Sequence, residues 1–206
     1  IDPEQIIESY GADSVRLFIL SDSPPEKDVQ WSDQGMISSY KFIQKLWTLH
    51  NSIKSKIQKE AEKYEYKKIV NFTNQTIAKI TDNLEKFNYN VIIANMYETY
   101  NHLKNYIKDY SDLENLEENY KKILICFSPV IPHFTNECLE NLNVKEKITW
   151  PEYDETLLDE EKIKIIIQVD GKKRAILSVK KGEEKDKILK IAKNENIIKK
   201  YLDVKG

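Results

Sequence analysis

Residues 33 to 59 read DQGMISSYKFIQKLWTLHNSIKSKIQK. Within them Met36, Tyr40, Ile43, Trp47, His50, Ile53 and Ile57 recur at steps of four, three, four, three, three and four, the period that places side chains on one side of an α-helix. The spacing predicts a long amphipathic helix from about Asp33 to Lys59. Lys41, Lys45, Lys54, Lys56 and Lys59 fall between the apolar positions, so the opposite side is expected to be solvated and positive. The same period predicts a helix over about 69–85, on Thr73, Ile77, Ile80 and Leu84, and another over about 89–108, on Ile92, Met96, Tyr100, Leu103 and Ile107. A fourth, over about 116–127, stops before Pro129, and Pro132 opens a shorter one over 132–141 with Phe134, Cys138 and Leu142. Helices of this length joined by brief polar turns pack as an antiparallel bundle.

Upstream, Asp2-Pro3-Glu4 is a helix start: a capping oxygen, a ring fixed at helical φ, and a carboxylate near the positive end of the dipole. That helix is expected to stop at Gly11 and to resume from Ala12 to Leu20. Pro24 and Pro25 forbid regular structure next, because a residue before proline is pushed out of the helical region, so 23–31 reads as a loop. Downstream, residues 149–161, TWPEYDETLLDEE, are acidic and lysine-free and read as a linker that Trp150 and Tyr153 pin to the bundle. The period then changes. KIKIIIQVDGKKRAILSVKKG predicts a β-hairpin with strands near 163–169 and 173–179 around Asp170-Gly171, a dipeptide that accepts positive φ at a tight turn. Short helices are expected at 185–192 and 196–202. The fold class is therefore mainly α: an antiparallel helical bundle followed by a small α+β domain, whose two strands leave its sheet unfinished.

Composition narrows the function. The chain of 206 residues is 40% hydrophobic and 32% charged, with a mean hydropathy of −0.60, and no apolar run approaches the ~18 residues of a spanning helix. This excludes a membrane protein. The first turn is acidic and polar, so no signal peptide is read, and the absence of an initiator Met suggests a piece of a longer protein. Cys126 and Cys138 form no CxxC pair; two buried thiols in a reduced cytoplasmic protein are expected in preference to a disulfide. The net charge of −2 conceals a division. Residues 1–161 carry 18 basic and 28 acidic side chains, and residues 162–206 carry 14 and 6. A segment so basic is the footprint of a nucleic-acid contact or, alternatively, a lysine-rich solvated face.

Catalytic constellations are missing. There is no GxGxxG or GxxxxGK[ST], and the histidines at 50, 102 and 133 stand alone without metal-ligand spacing. His50 is expected as a hydrogen-bonded core residue and His133 as a packing or capping residue. Glu117-Glu118 and Glu160-Glu161 read as exposed charge runs rather than an acid and base pair. No catalytic residue and no metal ligand is assigned.

Several motifs recur in one family. Asp2-Pro3, Tyr10-Gly11-Ala12-Asp13, Arg16-Leu17-Phe18, Ser23-Pro24-Pro25-Glu26, Asp28, Trp31-Ser32-Asp33, Gly35, Lys41-Phe42-Ile43, Lys45 and Trp47 together resemble the class I aminoacyl-tRNA synthetases, and among them the leucyl-tRNA synthetases of bacterial or organellar type. The region after the KMSKS loop in that family has the same order of motifs. Lys41 and Lys45 stand where arginine is usual and Ser38-Ser39 where Gly-Ala is common, keeping the charge but not the guanidinium fork. Ile148 to Pro151 resembles the Trp-Pro before the family's last domain, and QVDGKKRA, 168–175, resembles its Q-V-N-G-K-x-R-A, with Asp170 for Asn; Tyr201-Leu202 matches K-Y-L. Valyl, isoleucyl and methionyl relatives share the YGAD and RL motifs, while the SPPE and WSD run favours leucine.

The resemblance implies four segments: 1–32, a connection following the catalytic loop; 33–148, a helical anticodon-binding domain; 149–161, a linker; and 162–206, an incomplete tRNA-contacting domain. The parent would use ATP with Mg to join leucine to tRNA(Leu), and would edit misacylated tRNA. Its leucine, ATP and editing sites would lie outside this chain, which would bind tRNA as a monomer without cofactor or membrane. Lys41 and Lys45, four apart on one helix, are the phosphate contacts expected in the bundle, and Lys172, Lys173 and Arg174 those expected at the hairpin. Arg16 is expected in a buried ion pair with Asp13 or another carboxylate, and Trp31 and Trp47 in packing rather than base stacking. The alternative from another class is a helical protein-interaction module with a merely solvated basic tail.

Overall fold

The computed structural model describes residues 2–22, 27, 29–57, 68–109, 115–145, 148–158, 162–169, 172–180, 183–194 and 198. The chain forms two compact units, Ile1–Leu157 and Leu158–Gly206. The first holds α1 (Pro3–Tyr10), α2 (Ala12–Asp22), α3 (Asp33–Ile57), α4 (Lys68–Glu85), α5 (Tyr89–Asp109), α6 (Leu116–Phe127) and α7 (Pro132–Asn141). Their bounds fall within two residues of those expected from the sequence, and α1, α6 and α7 carry the expected glycine and proline punctuation. Asp2 Oδ1 accepts from the Glu4 amide at 3.0 Å, and Gly11 closes α1 at φ 80°, a backbone conformation that costs a side chain but not a glycine.

Helix α3 is the central member, packed on α1, α2, α5 and α7. Its buried residues are Met36, Ser39, Phe42, Leu46, Leu49, His50 and Ile53, a stripe turned from the expected one. Tyr40, Ile43 and Ile57 are only half-buried and Trp47 is 37% exposed. Two apolar stripes overlap in this helix. The aliphatic and phenyl side chains take the centre, while Tyr40 and Trp47, which carry polar tips, take the flank. Phe42 stacks on Tyr97 with ring centroids 3.8 Å apart. Where α2 meets α3, Gly35 leaves room for the Phe18 ring: a Cβ there would lie 2.7 Å from it. Trp31 closes this corner, edge-on to Phe18 at 5.2 Å, with its Nε1–H donating to Asp33.

The corner between α6 and α7 is held from the far end of the sequence. No side chain of its own caps α7. Asp13 does so from α2: Oδ2 accepts from the Phe134 amide at 2.6 Å, and Oδ1 from the His133 amide at 3.4 Å and from His133 Nδ1–H at 2.9 Å. One helical turn later Arg16 donates from Nε to the Val130 carbonyl at 3.0 Å and from a terminal nitrogen to that of Pro129 at 2.7 Å. The expected ion pair is thus corrected: Arg16 is exposed and satisfies backbone carbonyls, because Asp13 is already committed to amides. His133 has the expected capping association.

Residues 149–157 lie on the bundle. Trp150 Nε1–H donates to Thr81 Oγ1 at 2.9 Å, the Asp154 amide donates to Asn74 Oδ1 at 2.7 Å, Pro151 is buried and Tyr153 packs on the core. The second unit holds β1 (Lys162–Val169) and β2 (Lys172–Lys180), antiparallel, and α8 (Lys185–Asn194). Leu177, Val179 and Ala192 form its core with Ile165, Ile167 and Ile188. The turn Asp170-Gly171 and nearly all of the expected helix 196–202 lie outside the described residues, as do Lys59 and Glu160-Glu161.

Asp13→Ala should lower stability by about 1–2 kcal/mol, the usual cost of a lost cap, read as a shift of the urea midpoint. A pH dependence follows from the core histidines. Burial pushes the protonation of both His50 and His102 below the ordinary imidazole range. Below about pH 6.5 the unfolded chain therefore binds protons that the folded chain refuses. Stability should fall between pH 7.5 and 5.5, and His50→Gln should flatten that slope in urea titrations at the two pH values.

Candidate nucleic-acid interface

Lys41 and Lys45 are both exposed on α3, one turn apart, so their ammonium groups project on the same side. Neither has an ion-pair partner among the described residues. Lys86, Lys121 and Lys122, by contrast, are held by Asp82, Glu117 and Glu118 at 2.6–2.7 Å. The surface around the two lysines continues through exposed Gln44, Thr48, Asn51, Ser52 and Ser55. No carboxylate occurs in α3 after Asp33. Within a segment of net charge −10, this helix face thus offers cations and uncharged polar groups without a carboxylate; Thr48, Ser52 and Ser55 donate their hydroxyl protons to carbonyls of their own helix, so the attraction for a phosphate backbone is that of the lysines. The run without acids was legible in the sequence, although periodicity singled out only the lysines. Lys54 contributes less, since its Nζ donates to Asn141 Oδ1 at 3.1 Å.

In the second unit the register of the hairpin decides what its cations can do. Ile167 pairs with Ala175 but Gln168 pairs with Lys173, so Arg174 is the extra residue of a β-bulge. Regular pairing would set Lys173 opposite Val169, on the side with Ile165, Ile167, Leu177 and Val179, which form the unit's core. The bulge resets the alternation. Lys173 instead joins Gln168, Ile166 and Ile176 on the exposed face. Arg174 is half-buried, and Lys172 occupies the register position opposite Val169. Sequence reasoning placed these three cations just past the turn but did not anticipate the bulge that separates them.

The remaining candidates are structural. His50 is fully buried with Nδ1 3.1 Å from the Tyr120 hydroxyl, and His102 stacks on Phe72 at 3.5 Å. Cys126 and Cys138 are free, buried thiols, each pushed up to about 12 by desolvation, with Glu137 adding to the effect at Cys138. Among the described residues no group of three or more His, Cys, Asp or Glu could hold a metal ion, and no helix is long and apolar enough to cross a membrane.

Because Lys41 and Lys45 are exposed and unpaired among the described residues, replacing both with alanine should change folding stability by no more than about 0.5 kcal/mol. Superimposable urea denaturation curves for the parent and the double variant would check this.

Comparison with known proteins gives this geometry a context. The family profile described as the anticodon-binding domain of tRNA ligase matches residues 44–189. The leucine–tRNA ligase of Fusobacterium nucleatum subsp. nucleatum is 33% identical over 218 residues, covering 98% of this chain and 25% of that protein. That of Petrotoga mobilis is 32% identical over 220 residues, covering 100% and 27%. The chain thus spans about a quarter of the length of the curated relatives it matches. The same fold occurs in the crystal structure of the ternary complex of Agrobacterium radiobacter K84 agnB2 LeuRS, tRNA and LeuAMS, with a TM-score of 0.77 at 20% identity, covering 98% of this chain and 28% of that one. With the profile spanning well over half of its residues, this chain belongs to the anticodon-binding domain family of the tRNA ligases.

Proposed function

We propose that this chain is the tRNA-binding portion of a leucine–tRNA ligase. The observation that carries this reading is the end-to-end similarity, at 31–34% identity, to ligases of that name in several bacteria. Their whole length is about four times that of this chain. Joining leucine to tRNA(Leu) with ATP and Mg, and editing misacylated tRNA, therefore belong to the parent enzyme and its other domains. The part proposed for these residues is to hold the tRNA, as one cytoplasmic monomer, while chemistry occurs elsewhere.

The physical mechanism is counterion release. Each phosphate neutralised by Lys or Arg frees condensed cations, which makes binding favourable at low salt and progressively weaker as salt rises. Lys41 and Lys45 are the contacts proposed in the helical unit. Lys172, Lys173 and Arg174 are those proposed in the hairpin unit, where residues 162–206 carry a balance of +8. The flexible ammonium groups of the four lysines suit sequence-independent contacts, leaving choice among tRNAs to shape and to any base contacts.

Filter binding of tRNA(Leu) and of a second tRNA, repeated across salt, tests this. If all five cations meet phosphates, log K should fall against log salt with a slope of roughly −4. The combined Lys172→Glu and Arg174→Glu variant should weaken affinity at least tenfold and flatten the slope, with far-UV circular dichroism unchanged. Absence of tRNA binding, or binding indifferent to salt, would overturn the reading in favour of a protein-interaction module.

A further inference from the structure

A pocket of about 360 Å³ opens between the α1–α2 turn, α3 and α7. Tyr10, Ile43, Trp47 and Phe134 give it apolar and aromatic walls, and His133 and Glu137 are its exposed polar groups. Trp47 stacks on His50 with centroids 5.4 Å apart and meets Phe134 edge-on at 6.0 Å, so the indole is held from behind while 37% of the residue stays exposed. A rigid, half-open indole is a platform already formed before anything binds. Its Nε1–H has no partner among the described residues.

The electrostatics identify what would lie on it. The flanking helices α1 and α7 carry Glu4, Glu8, Glu137 and Glu140, and neither has a Lys or Arg. Asp13, which also lines the pocket, is committed to His133 Nδ1–H and to the amides of His133 and Phe134. Glu137 accepts one bond, from Asn141 Nδ2 at 3.0 Å, and a carboxylate has capacity for several more. The pocket therefore combines an aromatic platform with one carboxylate, Glu137, that keeps accepting capacity, and its α3 wall contributes Ile43 and Trp47 rather than a cation. On α3 its walls are set round the helix from the two lysines. Ile43 and Trp47 each follow a lysine by two residues, about 160° around the helix axis. An RNA segment seated there would carry its phosphates toward carboxylates.

We propose that this pocket docks an arginine side chain of a protein segment, its guanidinium lying against the Trp47 indole and forking to the Glu137 carboxylate. A planar guanidinium stacks on an aromatic face and bonds a carboxylate with two parallel N–H groups, which a lysine cannot do. Apolar neighbours of that arginine would cover Ile43 and Tyr10. The site is separate from the tRNA contacts and does not depend on them.

The test uses the full 206-residue chain, with the indole N–H signals of Trp31, Trp47 and Trp150 followed by NMR and that of Trp47 assigned from Trp47→Phe. Acetyl-Leu-Arg-Leu-amide should shift the Trp47 signal saturably and leave the other two in place. The peptide with Gln in place of Arg should bind at least fivefold more weakly. Glu137→Gln, an exposed change that retains the fold, should weaken the arginine peptide by a similar factor. Failure of the arginine peptide to move the Trp47 signal would overturn the proposal, as would equal binding to the Glu137→Gln variant. A shift by adenosine monophosphate as large as that by the arginine peptide would also overturn it, and would make the pocket a nucleobase site.

Discussion

Helix α3 has to bury Phe42, Leu46, Leu49 and Ile53 along one side over 25 residues while leaving Lys41 and Lys45 in water, and four other helices of the first unit take their places around that requirement. Helices α2 and α5 cover the apolar side, with α1 and α7 packed against it as well. Because the buried stripe is wide, a helix that met only one neighbour would leave part of it wet. The close contact of Gly35 with Phe18 is the cost of bringing α2 near enough. Burial is non-directional, so it draws the helices together without fixing their order or angle.

Direction comes from polar groups at the ends. Asp13 and Arg16, one turn apart on α2, satisfy the free amides that open α7 and the carbonyls just before it. One short helix thus meets both polarities of a single corner. A carboxylate is stabilised at the positive end of a helix dipole, and a guanidinium beside carbonyls has the complementary preference. The result is that α2 cannot slide along α7 without stranding several buried polar groups, each worth roughly 1–3 kcal/mol. The lysine face of α3 and the aromatic pocket beside α7 are both built on this fixed frame.

Element boundaries were legible in the sequence because glycines and prolines mark them: Pro3, Gly11, Pro129 and Pro132 sit at the helix ends they predicted, and the hairpin strands agree to within a residue. His50 was legible as a core residue for the same reason, its place in a helical period. What periodicity could not reveal was anything that depends on a distant partner. The association of Asp13 with His133 spans 120 residues, and Arg16 chose carbonyls over a carboxylate because of it. Nor could period alone decide between the two apolar stripes of α3. The family resemblance rested mainly on residues 2–47, nearly all of which lie upstream of the profile match at 44–189. Motif and profile thus reach the same family from different parts of the chain. For the candidate contacts, spacing could place Lys41 and Lys45 on one face, but that no described residue pairs with them is a property of the folded surface.

The span of the α2 clamp carries a consequence for how such a chain is made. Asp13 leaves a ribosome more than a hundred residues before the amides it caps, a separation of 120–121 positions. At synthesis rates of about 5–20 residues per second, α2 would wait roughly 6–24 s for its partner. Throughout that interval Leu17 and Phe18, buried in the finished fold, would have only earlier segments such as α3 and α5 to cover them. Helix α2 would therefore pack apolar side first, and its polar ties would close last, as a latch on a bundle already assembled.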